Sequence, residues 1–138
     1  MKQCAVMFIN PVRERTPHPS AMRALGFIVH EITEWPMDEA AMRDYHVVVV
    51  LVQNVFAAPM LAARLRAKPH ADRRMLVALV PAGTAAADRR SAEASGFDDV
   101  LEDSCVSRQL TTRILRGIRA RPELRCMLPP SVPRRRAA

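Results

Sequence analysis

The hydrophobic pattern is dominated by one stretch, His46 to Val52, where six apolar residues run consecutively and five of them are valine. β-Branched side chains are stiff at χ1 and pack well on a pleated surface, so the run predicts a strand. Seven valine-rich residues are too few for a buried helix. Nothing in the run alternates, so both faces must be covered, as in a parallel sheet with helices on each side. Cys4–Ile9, stopped by Asn10-Pro11, and Met75–Val80, stopped by Pro81, have the same character. Weaker strands are predicted at Phe27–Ile32, an edge interrupted by His30 and Glu31, and at Asp99–Leu101.

Helical patterns fill the intervals. Three prolines make Pro11–Ser20 a loop, after which Ser20 is expected to cap Ala21–Leu25, with Gly26 closing that helix. Trp35-Pro36 turns the chain, and Asp38 is expected to cap Glu39–Asp44. The next helix, Ala58–Ala67, tolerates Pro59 in its first turn and is expected to bury Met60, Leu61 and Leu65. Thr84 should cap Ala85–Ala94, which Ser95-Gly96 ends. Ser104 is the expected cap of the last helix, where Val106, Leu110, Ile114 and Ile118 recur every four residues as one apolar stripe. Arg108, Arg113, Arg116 and Arg119 lie away from that stripe. From Pro122 onward periodicity stops. The pattern predicts an α/β domain over residues 1–121 and a flexible, basic, Pro/Arg-rich tail or linker over 122–138. Five strand–helix repeats with short connections imply right-handed crossovers on one parallel sheet. For this length, the flavodoxin-like order 2-1-3-4-5 with helices on both faces is the expected topology.

Composition narrows the function classes. At 138 residues, 49% of them hydrophobic, the chain fits one domain with an ordinary core. No apolar run approaches the roughly 18 residues of a membrane span. The N-terminus lacks the pattern of a signal peptide, so a cytoplasmic location is expected. Cys4, Cys105 and Cys126 are odd in number and show no CxxC spacing, which argues against a disulfide framework or a zinc site. Nothing in the sequence sets a base beside Cys105 to make it a nucleophile. Charge is unevenly placed: residues 1–105 hold 12 Lys and Arg against 13 Asp and Glu, whereas residues 106–138 hold 9 Arg against Glu123 alone. Such a block favours an acidic partner.

The stretch SAEASGFDDVLEDSCVSRQLTTRILRGIRA, residues 91–120, resembles the end of the CheY-like receiver domain of two-component response regulators. Gly96, Asp98, Asp99, Leu101, Leu110, Arg113 and Ile114 match that family's register. Pro11 matches the proline after its acidic cluster, and Leu65-Arg66 matches the end of its third helix. The resemblance spans roughly residues 3–121 and lacks the family's chemical motifs. It implies a carboxylate pair for Mg²⁺ at the end of the first strand, where this chain has Phe8 and Ile9, with Asn10 next. It implies a phosphate-accepting aspartate at the end of the third strand, which here is Val50 or Leu51. The family's hydroxyl after the fourth strand is Pro81, its lysine after the fifth is Asp103, and its switch aromatic is Val100. Phosphoryl transfer requires a hard cation held by oxygen and an attacking carboxylate, and these side chains supply hydrocarbon instead. The resemblance therefore implies a degenerate pseudo-receiver with no cofactor and no metal.

Other chemistry finds little support. Asp98 and Asp99 read as solvated caps and loop charges. Glu102 and Asp103 stand at the ligand-binding end of such a sheet, but two carboxylates make an incomplete metal site. There is no GxGxxG or Walker sequence, and the loop after the first strand contains no glycine. His18, His30, His46 and His70 are scattered and read as surface or edge residues, with no Ser-His-Asp pattern. The expected function is noncatalytic: a phosphorylation-independent signalling domain that binds another protein, with an acidic surface, through Val100, Arg108, Arg113, Arg116 and Arg119. Homodimerisation through that face requires interleaved carboxylates such as Asp98, Asp99 and Glu102, because its like charges repel. Arg134, Arg135 and Arg136 would contact nucleic acid only nonspecifically. PPSVPRRRAA also resembles the linker after a receiver, so the regulatory domain of a longer transcription factor is the alternative. A small flavodoxin-like enzyme or ligand-binding protein is the third.

Overall fold

The computed structural model describes residues 4–35, 42, 44–67 and 74–127. The elements are β1 (Ala5–Ile9), α1 (His18–Ala24), β2 (Ile28–Ile32), β3 (Val47–Leu51), a 3₁₀ turn (Val55–Ala57), α2 (Ala58–Arg66), β4 (Met75–Val80), α3 (Ala86–Ala94), β5 (Asp99–Glu102), α4 (Ser107–Arg119) and a final 3₁₀ segment (Pro122–Met127). The helix expected over Glu39–Asp44 lies mostly outside the described residues. All strand pairs are parallel, in the order β2-β1-β3-β4-β5. This is the flavodoxin-like order expected from the sequence.

Every residue of β3 and β4 is buried, which is why neither strand alternates in sequence. Phe8, Val47, Val49, Leu51, Val77 and Leu79 point to one face, where Met22 of α1 and Leu110, Ile114 and Ile118 of α4 cover them. Met7, Ile9, Val48, Val50, Leu76 and Val80 point to the other, under Leu61 and Leu65 of α2 and Ala92 of α3. At roughly 25 cal/mol per Å² of apolar area, these two layers are the principal driving force of folding. Among the described residues, no helix is long and apolar enough to cross a membrane.

The helix starts depart from expectation. The first helix begins at His18 with Pro17 as its N-cap and Pro19 in its first turn, where a missing N–H costs nothing, and Ser20 lies inside it rather than capping it. Thr84 turns its hydroxyl back to the Pro81 carbonyl (2.6 Å), so α3 begins after Ala85 without a side-chain cap. The last helix begins at Ser107 after an exposed Val106, and Ser104 is not its cap. Its apolar stripe is therefore Leu110, Ile114 and Ile118. Met60 points outward rather than into the core. Gly26 does follow the end of α1 with φ +98°, a conformation that favours glycine. Within the segment expected to be a flexible tail, Pro122–Met127 winds into 3₁₀ turns and Leu124 is buried. Residues 128–138 lie outside the described residues.

The first residues of the β5 region knit the base of the sheet. Asp98 accepts from the Leu76 backbone N–H (2.7 Å) and from Arg66 (3.0 Å) through Oδ2, and from Arg121 (2.6 Å) through Oδ1. Arg66 also donates to the Gly96 carbonyl from Nε (2.9 Å) and Nη2 (2.7 Å). Gly96 sits at φ +132°, and a Cβ there would meet Arg66 Cγ at 3.3 Å. Asp99 pairs with Arg113 at 3.2 Å. The two aspartates are thus structural acceptors that tie α2, β4 and the end of α4 together, not solvated loop charges. Asp98→Ala should cost about 2 kcal/mol, the scale of losing charge-assisted hydrogen bonds, one of them to a backbone N–H. Urea unfolding would measure it, with exposed Glu93→Ala as the near-neutral control.

Candidate functional site

The carboxyl ends of the parallel strands form the edge where ligands of such sheets bind. Ile9 lies opposite Val50, Leu51 opposite Leu79, and Val80 opposite Glu102. Phe8 and Leu51 face α1 and α4, while Ile9 and Val50 face α2 and α3. All four are buried. The positions expected to replace an acidic centre are therefore two halves of a hydrocarbon core, divided by the sheet.

The polar residues at this edge are committed locally. Asn10 donates from Nδ2 to the Glu14 carbonyl (2.7 Å) and accepts at Oδ1 from the Glu14 N–H (3.1 Å). The loop closes around it, with Arg13 in the left-handed region at φ +55°, a strained conformation for a residue with a Cβ. Asn10 is buried and spends its amide on the backbone. Pro81 is half-buried and offers a carbonyl, which Thr84 occupies with both its hydroxyl and its N–H. Asp103 continues the β5 ladder, its N–H donating to the Val80 carbonyl at 2.7 Å. Glu102 pairs with Arg89 at 3.8 Å. Among the described residues, no three His, Cys, Asp or Glu side chains gather to hold a metal ion.

The sequence reading missed His18. Expected at the surface, it is 1% exposed. Its Nε2 lies 3.2 Å from the Asp103 carbonyl and its Nδ1 2.7 Å from Ser107 Oγ. A carbonyl can only accept, so Nε2 carries the proton, and in the neutral ring Nδ1 accepts from the Ser107 hydroxyl. The imidazole thus fastens the start of α1 to the loop between β5 and α4. Its only sequence signal is the Pro17-His18-Pro19 helix start, because both partners are distant in sequence.

The arginine face is only partly free. Arg108 and Arg116 are exposed, with no ion pair among the described residues. Arg113 is held by Asp99, and Arg119 is half-buried. Val100 is 6% exposed and packs in the core beneath α3, so it does not belong to a partner surface. Cys105 is half-buried, and burial first, then Asp103 and Glu102, push its thiol up. It is thereby less ready to ionise and a poorer nucleophile.

No protein-family model and no curated protein matches the chain. Solved structures do. An atypical orphan response regulator with a phosphorylation-independent regulatory mechanism superposes with a TM-score of 0.67 at 17% identity, covering 88% of this chain and 95% of that one. An orphan response regulator of H. pylori gives 0.65 at 18% identity, covering 89% and 98%. A CheY-like receiver domain protein from Methanospirillum hungatei gives 0.59 at 6% identity, covering 86% and 96%. The chain has the CheY-like receiver fold. In that fold the edge formed by Ile9, Leu51, Pro81 and Asp103 is where the receiver resemblance places the phosphoacceptor centre.

The chemistry of this edge predicts the outcome of one substitution, and the burial of Cys4, just before β1 at the opposite end of the sheet, predicts that of another. Leu51→Asp should not create a phosphoacceptor, because Phe8, Ile9 and Asp103 still deny it metal ligands and a lysine. It should instead destabilise the fold by several kcal/mol, as a buried unpaired carboxylate does. Intact mass after acetyl phosphate treatment and urea unfolding read the two effects. The second concerns Cys4, whose burial pushes its thiol from 9.0 up to about 12. Between those values the folded chain keeps a proton that the unfolded chain has released. Its contribution is therefore fully present below pH 9 and lost as pH climbs toward 12. Cys4→Ala should flatten that part of a stability–pH curve.

Proposed function

We propose that this protein is a receiver-like signalling domain that works without phosphorylation, by binding another protein. The observation that carries the reading is the hydrocarbon character of the sheet's carboxyl edge. Phe8, Ile9, Val50 and Leu51 are all buried, and Asn10 is occupied by its own loop. Phe8, Ile9, Val50 and Leu51 offer a phosphoryl group neither a metal ligand nor a donor, and Asp103 stands where the receiver resemblance implies a lysine. The likeness to an orphan regulator described as phosphorylation-independent supports the same reading.

The partner surface in this reading is α4. Arg108 and Arg116 supply unneutralised positive charge, while Arg113 and Arg119 border it. The charge selects an acidic signalling protein and speeds its encounter more than it adds affinity. A cytoplasmic location, and with it a cytoplasmic partner, is part of this proposal. The fold supplies a rigid platform, and no catalytic step is assigned to it.

The test is incubation with acetyl phosphate, and separately with beryllofluoride and Mg²⁺, read by intact mass and by amide NMR shifts. The expected outcome is no adduct and no shift at Ile9, Leu51, Pro81 or Asp103. A stable adduct would overturn the proposal. For a partner identified by co-purification, the double variant Arg108→Glu, Arg116→Glu should weaken binding about tenfold at low salt, an effect that added salt erases.

A further inference from the structure

The helix α2 is apolar on both sides. Its inner face, Ala58, Leu61, Ala62 and Leu65, packs on the sheet. Its outer face carries Met60, Ala63 and Arg64, with Ala67 following in line and Pro59 at the rim, all exposed. The preceding 3₁₀ turn adds Phe56 four residues before Met60. Asn54 accepts from the Phe56 backbone N–H at 3.0 Å and fixes that turn. Phe56 is 78% exposed and Met60 60%. Residues three and four apart share a helix face, so Phe56, Met60, Ala63 and Arg64 form one stripe. A large aromatic and a thioether exposed side by side mark a surface suited to being covered.

We infer that this stripe is a self-association surface whose occupant is the same stripe of a second copy. The argument is self-complementarity. In an antiparallel pair of α2 helices with its two-fold axis at Met60, position 56 of one copy meets position 64 of the other, and the reverse. Each Phe56 ring then receives the Arg64 guanidinium across the interface, and the two Met60 thioethers meet at the axis between the rings. Arg64 carries no ion pair among the described residues. Ala63 and Ala67 have no bulk to hold the backbones apart. Any other partner would have to bring its own group for Arg64, whereas this face supplies both halves. By contrast, the arginine face of α4 repels a copy of itself. The contact is one helix wide, at the small end of protein interfaces, so association depends on concentration.

Sedimentation velocity on the full chain over a range of concentrations tests this. The wild type should pass from monomer to dimer. Met60→Glu, which sets two carboxylates face to face on the axis, should stay monomeric with an unchanged melting temperature, since the position is exposed. Phe56→Ala and Arg64→Ala should each weaken association about fivefold, and the double variant by little more, because the two residues contact each other. With Cys105 and Cys126 replaced by Ser, Met60→Cys should form a disulfide-linked dimer on mild oxidation, and Ala94→Cys on α3 should not. A chain that is monomeric at every concentration would refute the proposal. So would a dimer indifferent to Met60→Glu, which uses another face. A heterologous protein lost on Met60→Glu while the chain itself stays monomeric would also overturn the second copy as the occupant. None of these outcomes depends on phosphoryl chemistry at the sheet edge.

Discussion

A strand buried on both faces cannot carry an uncompensated charge, and that constraint governs this molecule. With β3 reading Val47 to Leu51 and every position inside, each side chain must satisfy one hydrocarbon layer or the other. An ionised carboxylate at its end would need a cation and donors to offset its desolvation. The neighbouring ends of β1 and β4 offer Ile9 and Val80 instead. The absence of acid at one position is therefore tied to its absence at the others. An acidic site at these strand ends and a continuous hydrocarbon core there exclude each other.

The same logic separates what stability asks from what binding uses. Asp98 and Asp99 resemble loop charges in sequence, but they hold arginines and a strand N–H at the base of the sheet. Arg113 looked like part of a free basic face and is largely taken by Asp99. Among the described residues only Arg108 and Arg116 of those four carry exposed charge with no ion pair, a narrower positive field than four free arginines would make. Charge counted along a sequence overstates the field that a partner meets, because part of it is cancelled inside the fold.

The strands, their order and the two-layer core were legible because runs such as Met75–Val80 have one physical solution. Helix limits were less so. Ser20, Thr84 and Ser104 are good capping residues by type, yet Pro19 sits in the first turn of a helix that starts earlier and Thr84 finds a nearer acceptor. Periodicity alone points Met60 inward because α2 offers apolar residues on both sides, and only the fold selects which side faces in. The receiver resemblance puts Val100 at a partner surface, although β5 turns it toward the core. The burial of His18 was illegible altogether, since Asp103 and Ser107 meet it only through the completed fold.

That last contact bears on how the chain assembles. His18 and Ser107 are 89 residues apart, and His18 and Asp103 are 85. Closing so long a segment carries a large entropic cost, and contacts of this span form late. The docking of α1 against α4 must wait until the last crossover has been made and α4 lies on the sheet. A nascent or truncated chain without Ser107 would present α1 with its imidazole unpartnered and Met22 uncovered. Completion of the domain is therefore close to all-or-none, with its first helix secured by its last.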